Sequence, residues 1–321
     1  MILFTDVYVK LKERVLYEAN RLNYIPNLLG RHLKNKLSKD IGVLIPNITN
    51  QFYPQLVLGI EHTARNRGYN VLLCNSQRDP KNEKTYLKTF FQKQTSGIII
   101  SSIIRKHDYL KQLMNHGVEV VALEQNIDLD CSKINYNYQK GGYLAAEYLV
   151  ENGHRLIGFI SAPLNRPSRK KVFEGFMKYF EENNIKIDKD YIIVSEIEEE
   201  SFDEIYEYKN GKNLKKKLLC KSKIPTAIFC INDMTAFGVM QEMQKNDINI
   251  PNDVSIIGFD NIPTSQMVTP SLTTIDQSTY EMGSIAAEVL INSLEDKNIK
   301  NINISLEPTL IKRSSIRKLN L

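Results

Sequence analysis

Short apolar runs alternate with amphipathic stretches along the chain from Ile41 onward. The run IGVLIP at 41–46 precedes a stretch in which Leu56, Ile60 and Ala64 recur at helical spacing. Further apolar runs follow at 69–75, 96–101, 118–124 and 156–162, and again in DYIIVSE, TAIFCIND and VSIIGFDN. Near-continuous apolar strands that alternate with helices are typical of parallel sheets covered by helices on both faces.

The number of predicted strands indicates more than one sheet. At least nine strands alternate with helices without a long linker, which is many for a single sheet. We therefore predict an α/β fold with two doubly wound parallel-sheet subdomains, which divide near Ala162.

Polar side chains follow several of the predicted strands. Asn47 to Gln51 follow the first strand, Asn75 follows the second, and Asn232 and Asp260 follow two later strands. Each has an alternative interpretation as a helix cap or a turn residue. Ligands of open parallel sheets bind beyond the carboxyl ends of the strands. Together, these amides and carboxylates would suit a polyhydroxyl or other hydrogen-bonding ligand in a cleft.

The N-terminal segment differs in charge from the rest of the chain. Residues 1–39 contain eight Lys or Arg and three Asp or Glu, which accounts for the whole net charge of +5. The stretch NYIPNLLGRHLKNK at 23–36 adds a basic helix that is too short to be stable alone. Such a segment suggests a polyanion as its partner. The alternative is a solvated tail that aids solubility.

Composition and motifs exclude several classes of protein. Hydrophobic residues make up 42% and charged residues 25% of the 321 residues, as in ordinary globular proteins. No apolar run approaches the roughly 18 residues of a membrane span, and no signal peptide is recognisable. The four cysteines lack zinc-site spacing. We expect reduced thiols, no metal and no cofactor, in a cytoplasmic protein.

Enzyme motifs are missing from the sequence. A dinucleotide-dependent reductase needs a glycine-rich turn after its first strand, where PNITNQF contains no glycine. There is no GxSxG, no HExxH and no P-loop lysine, and the five histidines form no triad pattern. We therefore expect no catalytic activity.

Several motifs, in a fixed order, resemble the LacI/GalR family of bacterial transcription regulators. They are the stretch from IGVLIPNITNQF to SGIII, ENGHRLIGFISAP, IPTAIFCINDMTAFGVM, PNDVSIIGFDN, PSLTTIDQ and EPTLIKRSS. The resemblance runs from about Lys10 to Ser315. It implies a type I periplasmic-binding-protein-like effector domain, whose two Rossmann-like subdomains are linked by three crossovers. It also implies a homodimer that binds operator DNA.

The resemblance also implies domain boundaries. Residues 1–38 correspond to a remnant of the DNA-binding headpiece, with its third helix at about 10–23 and a hinge helix at about 26–35. The expected effector subdomains are 40–161 plus about 277–304, and 162–275 plus about 306–317. Crossovers are expected near Ser161–Ala162, Ile275–Gln277 and Ser305–Glu307. The two helices that read the DNA major groove are expected to be absent from this chain.

In this family, two hinge helices of a dimer enter the DNA minor groove side by side, and a leucine from each opens a base step. By this resemblance Leu33 is the wedge, and packing on its own domain is the alternative. The other hinge residues expected to lie at the DNA are Asn27, Arg31, Lys34 and Lys36.

The family binds a small effector, often a sugar and sometimes a purine, between its two subdomains. Some members respond to a protein co-repressor. Carried over to this sequence, the effector-binding residues are Phe52, Tyr53, Arg166, Ser168, Asn232 and Asp260. An aromatic face suits a sugar ring or a base, although core packing is an equal alternative for Tyr53.

Two positions depart from the family pattern. Val172 stands where many members carry an arginine, and Tyr136 where many carry an aspartate. These losses argue against a standard monosaccharide or purine binding mode. Arg169, Lys170 and Lys171 could supply charge for a phosphorylated or acidic ligand instead, but we expect them to be a solvated helix start.

We therefore predict a ligand-responsive transcriptional regulator, acting as a repressor on a sugar-like effector. One alternative is a domain that senses an effector or dimerises without specific DNA binding. The other is a solute-binding protein of the same fold that serves a transporter.

Overall fold

The computed structural model describes residues 3–22, 24, 38–104, 107–123, 128–196, 206–219, 221 and 223–319. The hinge residues Asn27, Arg31, Leu33, Lys34 and Lys36 lie outside these ranges, so their assignment to DNA contacts stays a prediction.

The chain divides into two compact units, Met1–Ser38 and Lys39–Leu321. The first contains helix α1, Leu3–Arg21. This helix begins well before the predicted start near Lys10, because the residues from Leu3 onward contain no glycine or proline that would end it. Among the helices of the described residues, none combines the length and the apolar character of a membrane span.

The second unit contains two sheets, as the sequence predicts, and each has six strands. All strands of the first sheet are parallel, in the order β11-β5-β4-β3-β1-β2. They are β1 Asp40–Ile45, β2 Asn70–Asn75, β3 Gly97–Ile100, β4 Glu119–Leu123, β5 Ser132–Tyr136 and β11 Asn303–Leu306.

The second sheet has the order β12-β10-β9-β8-β6-β7, and only its edge strand β12 is antiparallel. Its strands are β6 Ile157–Ser161, β7 Ile192–Val194, β8 Ala227–Cys230, β9 Ser255–Asp260, β10 Thr273–Asp276 and β12 Thr309–Ile311.

Helices cover both faces of each sheet. In the described part of the second unit they are α2 Phe52–Asn66, α3 Pro80–Gln92, α4 Asp108–Asn115, α5 Tyr138–Glu151, α6 Pro167–Glu182, α7 Tyr206–Leu219, α8 Asp233–Gln244 and α9 Thr279–Glu295. Helices α2 and α9 pack against each other on the first sheet, and α5 with α6 and α7 with α8 form pairs on the second.

Burial on both faces explains why the strands read as continuous apolar runs. In β1, Val43 packs with Leu56 and Ile60 of α2, whereas the adjacent Leu44 packs with Phe90 of α3 on the opposite face. Successive side chains of a strand point to opposite faces, so both must be apolar when both faces are covered.

The chain passes between the two halves three times, which agrees with the predicted fold class. The passages lie between β5 and α5, between β10 and α9, and between β11 and β12. The first passage, at Asn137, differs from the predicted position near Ser161–Ala162. Helix α5 packs on the second sheet and β6 pairs with β7 and β8, so residues 138–161 belong to the second half.

Facing glycines bring the paired helices unusually close. They are Gly59 with Gly283 between α2 and α9, Gly142 with Gly175 between α5 and α6, and Gly211 with Gly238 between α7 and α8. A Cβ atom on any of these six residues would clash with a backbone carbonyl of the facing helix. The missing side chain therefore sets the helix separation, and with it the position of residues that α6 carries into the site.

Candidate functional site

A cavity of about 90 Å³ lies between the two sheets, at the carboxyl ends of their strands. In each sheet the strand order reverses around the first strand of that half, at β1 and at β6. Loops that leave the sheet in opposite directions at such a point leave a crevice between them. The loops after β1 and β6 both contribute residues to this cavity.

Helix starts position several of the cavity residues. Phe52 is the first residue of α2, and Ser168 follows Pro167, which opens α6 with its fixed backbone angle. Asn232 caps α8, because its side-chain oxygen accepts a hydrogen bond from the backbone N–H of Thr235 at 2.8 Å. The cap leaves the amide NH₂ group of Asn232 as a donor at the cavity wall.

All of the effector-binding residues predicted from the sequence line this one cavity. They are Phe52, Tyr53, Arg166, Ser168, Asn232 and Asp260. Phe52 is buried and its ring meets that of the half-buried Tyr53 edge to face, with 5.1 Å between centroids. The two rings form an aromatic wall, which suits the apolar face of a sugar or a base.

Asp260 lies in a strained turn at the end of β9. Its φ angle is +116° and that of Asn261 is +52°, a region that residues with a side chain rarely adopt. Gln277, which follows β10, donates a hydrogen bond from Nε2 to Asp260 Oδ1. The Oε1 atom of Gln277 is buried and has no partner among the described residues. This end of the cavity therefore offers acceptors to a ligand that donates hydrogen bonds.

A buried network holds this turn in place. Asp233, fully buried at the start of α8, accepts hydrogen bonds from the backbone N–H of Ile262 at 3.0 Å and from Ser265 Oγ at 2.6 Å. Burial raises the pKa of Asp233 to about 6. Arg313, in the EPTLIKRSS motif, donates to Asn261 Oδ1 at 2.7 Å. These contacts give that motif a role in positioning Asp260.

Charged side chains occupy the other part of the cavity. Arg78 after β2, Arg166, Arg169 and Glu207 of α7 all line it, and Arg78 and Arg169 each lie near Glu207. Arg169 and Glu207 have side-chain exposures of only 7% and 4%. The expectation that Arg169 is solvated is therefore wrong, while its neighbour Lys170 is exposed. Arg169 and Lys170 are consecutive residues in the first turn of α6, so their side chains point about 100° apart. Only Arg169 therefore enters the cleft.

The sequence is similar to those of known bacterial repressors along nearly its whole length. A sequence model described as "Periplasmic binding protein-like domain" matches residues 146–316. The HTH-type transcriptional repressor PurR of Mannheimia succiniciproducens is 30% identical over 310 residues, which cover 96% of this chain and 90% of that protein. The chain belongs to the LacI/GalR family. Its relatives are transcriptional repressors, not enzymes.

Solved structures of LacI-family regulators have the same fold. A LacI family transcriptional regulator from Enterococcus faecium, with bound ribose, has a TM-score of 0.76 and 28% identity, covering 88% of this chain and 100% of that chain. A periplasmic binding protein/LacI transcriptional regulator from Alkaliphilus metalliredigens, complexed with D-xylulofuranose, has a TM-score of 0.71 and 31% identity, covering 87% and 99%. The predicted fold class is confirmed.

The two departures from the LacI/GalR pattern have different structural consequences. Val172 lines the cavity, one helical turn after Arg169, so a positive side chain remains on this face of α6. Tyr136 is buried, and its hydroxyl donates to the backbone oxygen of Asp276 at 3.0 Å. Burial raises the pKa of Tyr136, so it stays neutral. It joins two of the passages between the halves and does not line the cavity.

Sequence reasoning missed several polar residues of the site. The structure adds Arg78, Tyr138, Glu207 and Gln277 to the cavity wall, and also Arg169, which was expected to be solvated; Asn50 of the predicted polar run lies there too. Arg78 and Gln277 follow strands β2 and β10. Because ligands bind beyond the carboxyl ends of parallel strands, both residues could have been predicted from their positions. Glu207 lies in the first turn of helix α7 and does not directly follow a predicted strand, so its position in the sequence did not point to the cavity.

Contacts between described residues span the cleft in this conformation. Thr264 of the second half donates to Gln51 Oε1 of the first half at 2.8 Å. The Nη2 atom of Arg78 in the first half lies 3.8 Å from the Oε1 atom of Glu207 in the second half. In the part of the chain that the structure describes, no group of three or more His, Cys, Asp or Glu residues is placed to hold a metal ion.

Proposed function

We propose that this protein is a ligand-responsive transcriptional repressor whose effector is a small sugar or sugar derivative bound in the cleft. The convergence of Asp260, Gln277, Asn232 and the Phe52–Tyr53 wall on one cavity carries this proposal. An aromatic wall with a few convergent hydrogen-bonding groups is the usual composition of a carbohydrate-sized site. The bound ribose and D-xylulofuranose of the two solved relatives support a polyhydroxyl effector.

Effector binding is proposed to be coupled to DNA binding through the angle between the two halves. Residues from both halves line the cavity, so a ligand that touches both stabilises the closed arrangement. The ligand can shift the equilibrium between the open and closed states only as far as its affinities for these two states differ. The basic segment 1–39 is the proposed contact with operator DNA, since its charge suits phosphates. Leu33 is its proposed minor-groove wedge.

A thermal-shift screen tests the effector proposal. Free sugars, sugar phosphates, nucleobases and small acids are added to the full chain. A bound ligand at 100 times its dissociation constant stabilises the folded state by about 2.7 kcal/mol, which raises Tm by a few degrees. No shift with any compound would contradict the proposal and favour a protein co-repressor or a domain that has lost sensing.

We also propose that the protein acts as a two-fold dimer. Operators of helix-turn-helix repressors are palindromic, so a symmetric pair of protomers matches their two half-sites. Sedimentation velocity at micromolar concentration is expected to give about twice the 37.0 kDa mass of the chain. A single species of monomer mass at that concentration would be incompatible with this part of the proposal.

A further inference from the structure

A hydrogen bond between Thr264 and Gln51 joins the two halves beside the effector cavity. Thr264 Oγ1 in the second half donates to Gln51 Oε1 in the first half at 2.8 Å. This distance is ordinary for a hydroxyl donor, whereas the Arg78–Glu207 contact across the same cleft is longer, at 3.8 Å. Neither Gln51 nor Thr264 is among the residues that line the cavity. The bond therefore connects the halves from outside the space that the effector would fill.

Gln51 lies at the junction between the loop after β1 and helix α2. Its neighbours Asn50 and Phe52 both line the cavity. Asn50 fixes this junction, because its Oδ1 atom accepts a hydrogen bond from the backbone N–H of Phe52 at 2.9 Å. Gln51 occupies the N-cap position of α2, yet its side chain does not cap this helix and instead accepts the bond from Thr264. The contact therefore acts directly on the start of the aromatic wall.

Thr264 is attached to a rigid part of the second half. It lies in a short 3-10 helix, Pro263–Gln266, four residues after Asp260. The next residue, Ser265, is fully buried, and its Oγ atom donates to the buried carboxylate of Asp233 at 2.6 Å. The Thr264 side chain thus has a fixed position relative to the turn that presents Asp260 to the cavity.

We propose that Gln51 and Thr264 are positioning residues that close the effector cleft. Their hydrogen bond sets the aromatic wall of the first half against Asp260 of the second half, and it stabilises the closed arrangement without touching the effector. This inference rests on the proposed function and extends it to residues outside the cavity. Because opening of the cleft breaks the bond, a chain without it closes less readily and releases a bound effector faster.

Chemical cross-linking of the full chain tests the contact without any effector. In the variant Gln51→Cys/Thr264→Cys, a short bismethanethiosulfonate reagent is expected to join the two introduced thiols, as measured by mass spectrometry of the digested protein. The control is Gln51→Cys/Lys178→Cys. Lys178 is exposed on α6, about 15 Å along the helix from the end that reaches the cavity, so this pair should not be joined. Failure of the first pair to cross-link would overturn the proposal.

Titration and stopped-flow release of D-ribose, D-xylulose and D-glucose measure the effect on binding. Thr264→Val and Gln51→Met each remove the hydrogen bond and nearly keep the size of the side chain. A neutral hydrogen bond changes an equilibrium roughly two- to tenfold, so each variant should weaken binding by about that factor, through faster release. Sugars that bind should all lose the same factor, because closure affects every ligand of the closed state equally.

Further variants separate closure from a role in folding. Gln51→Glu keeps an acceptor for Thr264 and should bind the sugars at least as tightly as the original protein. The double variant Gln51→Met/Thr264→Val should lose no more affinity than either single variant, since both remove the same bond. Thr85→Val is the matched control, because it removes an exposed hydroxyl that bonds only within α3, and it should change neither affinity nor release.

The possible failures are distinguishable. Additive losses in the double variant, or a loss in Gln51→Glu equal to that in Gln51→Met, would overturn the closure contact and leave the proposed effector cleft intact. If no sugar binds the original protein, the proposed sugar effector fails, whereas the cross-linking result still decides whether Gln51 and Thr264 meet across the cleft.

Discussion

Replacing Asp260 with asparagine is expected to weaken effector binding roughly 10- to 100-fold. A hydrogen bond to a charged group contributes about 1.5–3 kcal/mol, and 1.4 kcal/mol corresponds to a factor of ten. Asparagine has nearly the same shape and tolerates a positive φ angle better than most residues. The turn at Asp260, with φ of +116°, should therefore persist. Titration with the compound that gives the largest thermal shift measures the loss.

The control for this variant is Asp108→Asn. Asp108 is exposed at the start of α4 and does not line the cavity, so binding should be unchanged. Circular dichroism of Asp260→Asn should match that of the original protein. Unaltered affinity in a folded Asp260→Asn variant would show that the carboxylate does not contact the effector.

Replacing Gly175 with alanine is expected to lower the stability of the protein by about 1–3 kcal/mol or more, the range for overpacking a tight interface. The added methyl group would overlap the backbone oxygen of Gln139 on α5. A backbone atom cannot move aside as a flexible side chain can, so α5 and α6 must separate. In a unit of this size Tm should fall by roughly 3–10 °C, which a thermal melt measures.

Gly158→Ala is the matched control. Gly158 lies in β6 of the same half, and the nearest atom to an added Cβ is 3.4 Å away, an ordinary contact. Its Tm should change by much less. Because α6 carries Ser168 and Arg169 to the cavity, Gly175→Ala should also weaken effector binding. A Tm equal to that of Gly158→Ala would mean that the helices adjust without cost.

Some residues of the candidate site can be predicted from their positions just after the strands. Asn232 and Asp260 were identifiable because each follows a continuous apolar run, and parallel strands deliver their carboxyl ends to one edge. Phe52, Tyr53, Arg166 and Ser168 were placed only by the family resemblance. Asp260 also shows the limit of this reasoning, since neither its strained backbone nor its support by Arg313 follows from the local sequence.

The position of the first passage between the halves could not be predicted from the sequence pattern. The order of strand and helix from β5 to β6 is the same whichever sheet receives α5 and β6. The structure assigns both to the second half, where Gly142 of α5 meets α6 closely. Only the packing partner decides this, because local alternation describes each element and not its neighbours.

The sequence by itself determined the α/β alternation, the apolar strands buried on both faces, the family, and the basic N-terminal segment. These properties depend on neighbouring residues along the chain or on ordered motifs. The tertiary structure alone decided which elements share a sheet, that Arg169 is buried while Lys170 is exposed, and that Arg78, Arg169 and Glu207 meet. Those three side chains come from distant segments, and charge pairing depends on separation in space, which no local pattern records.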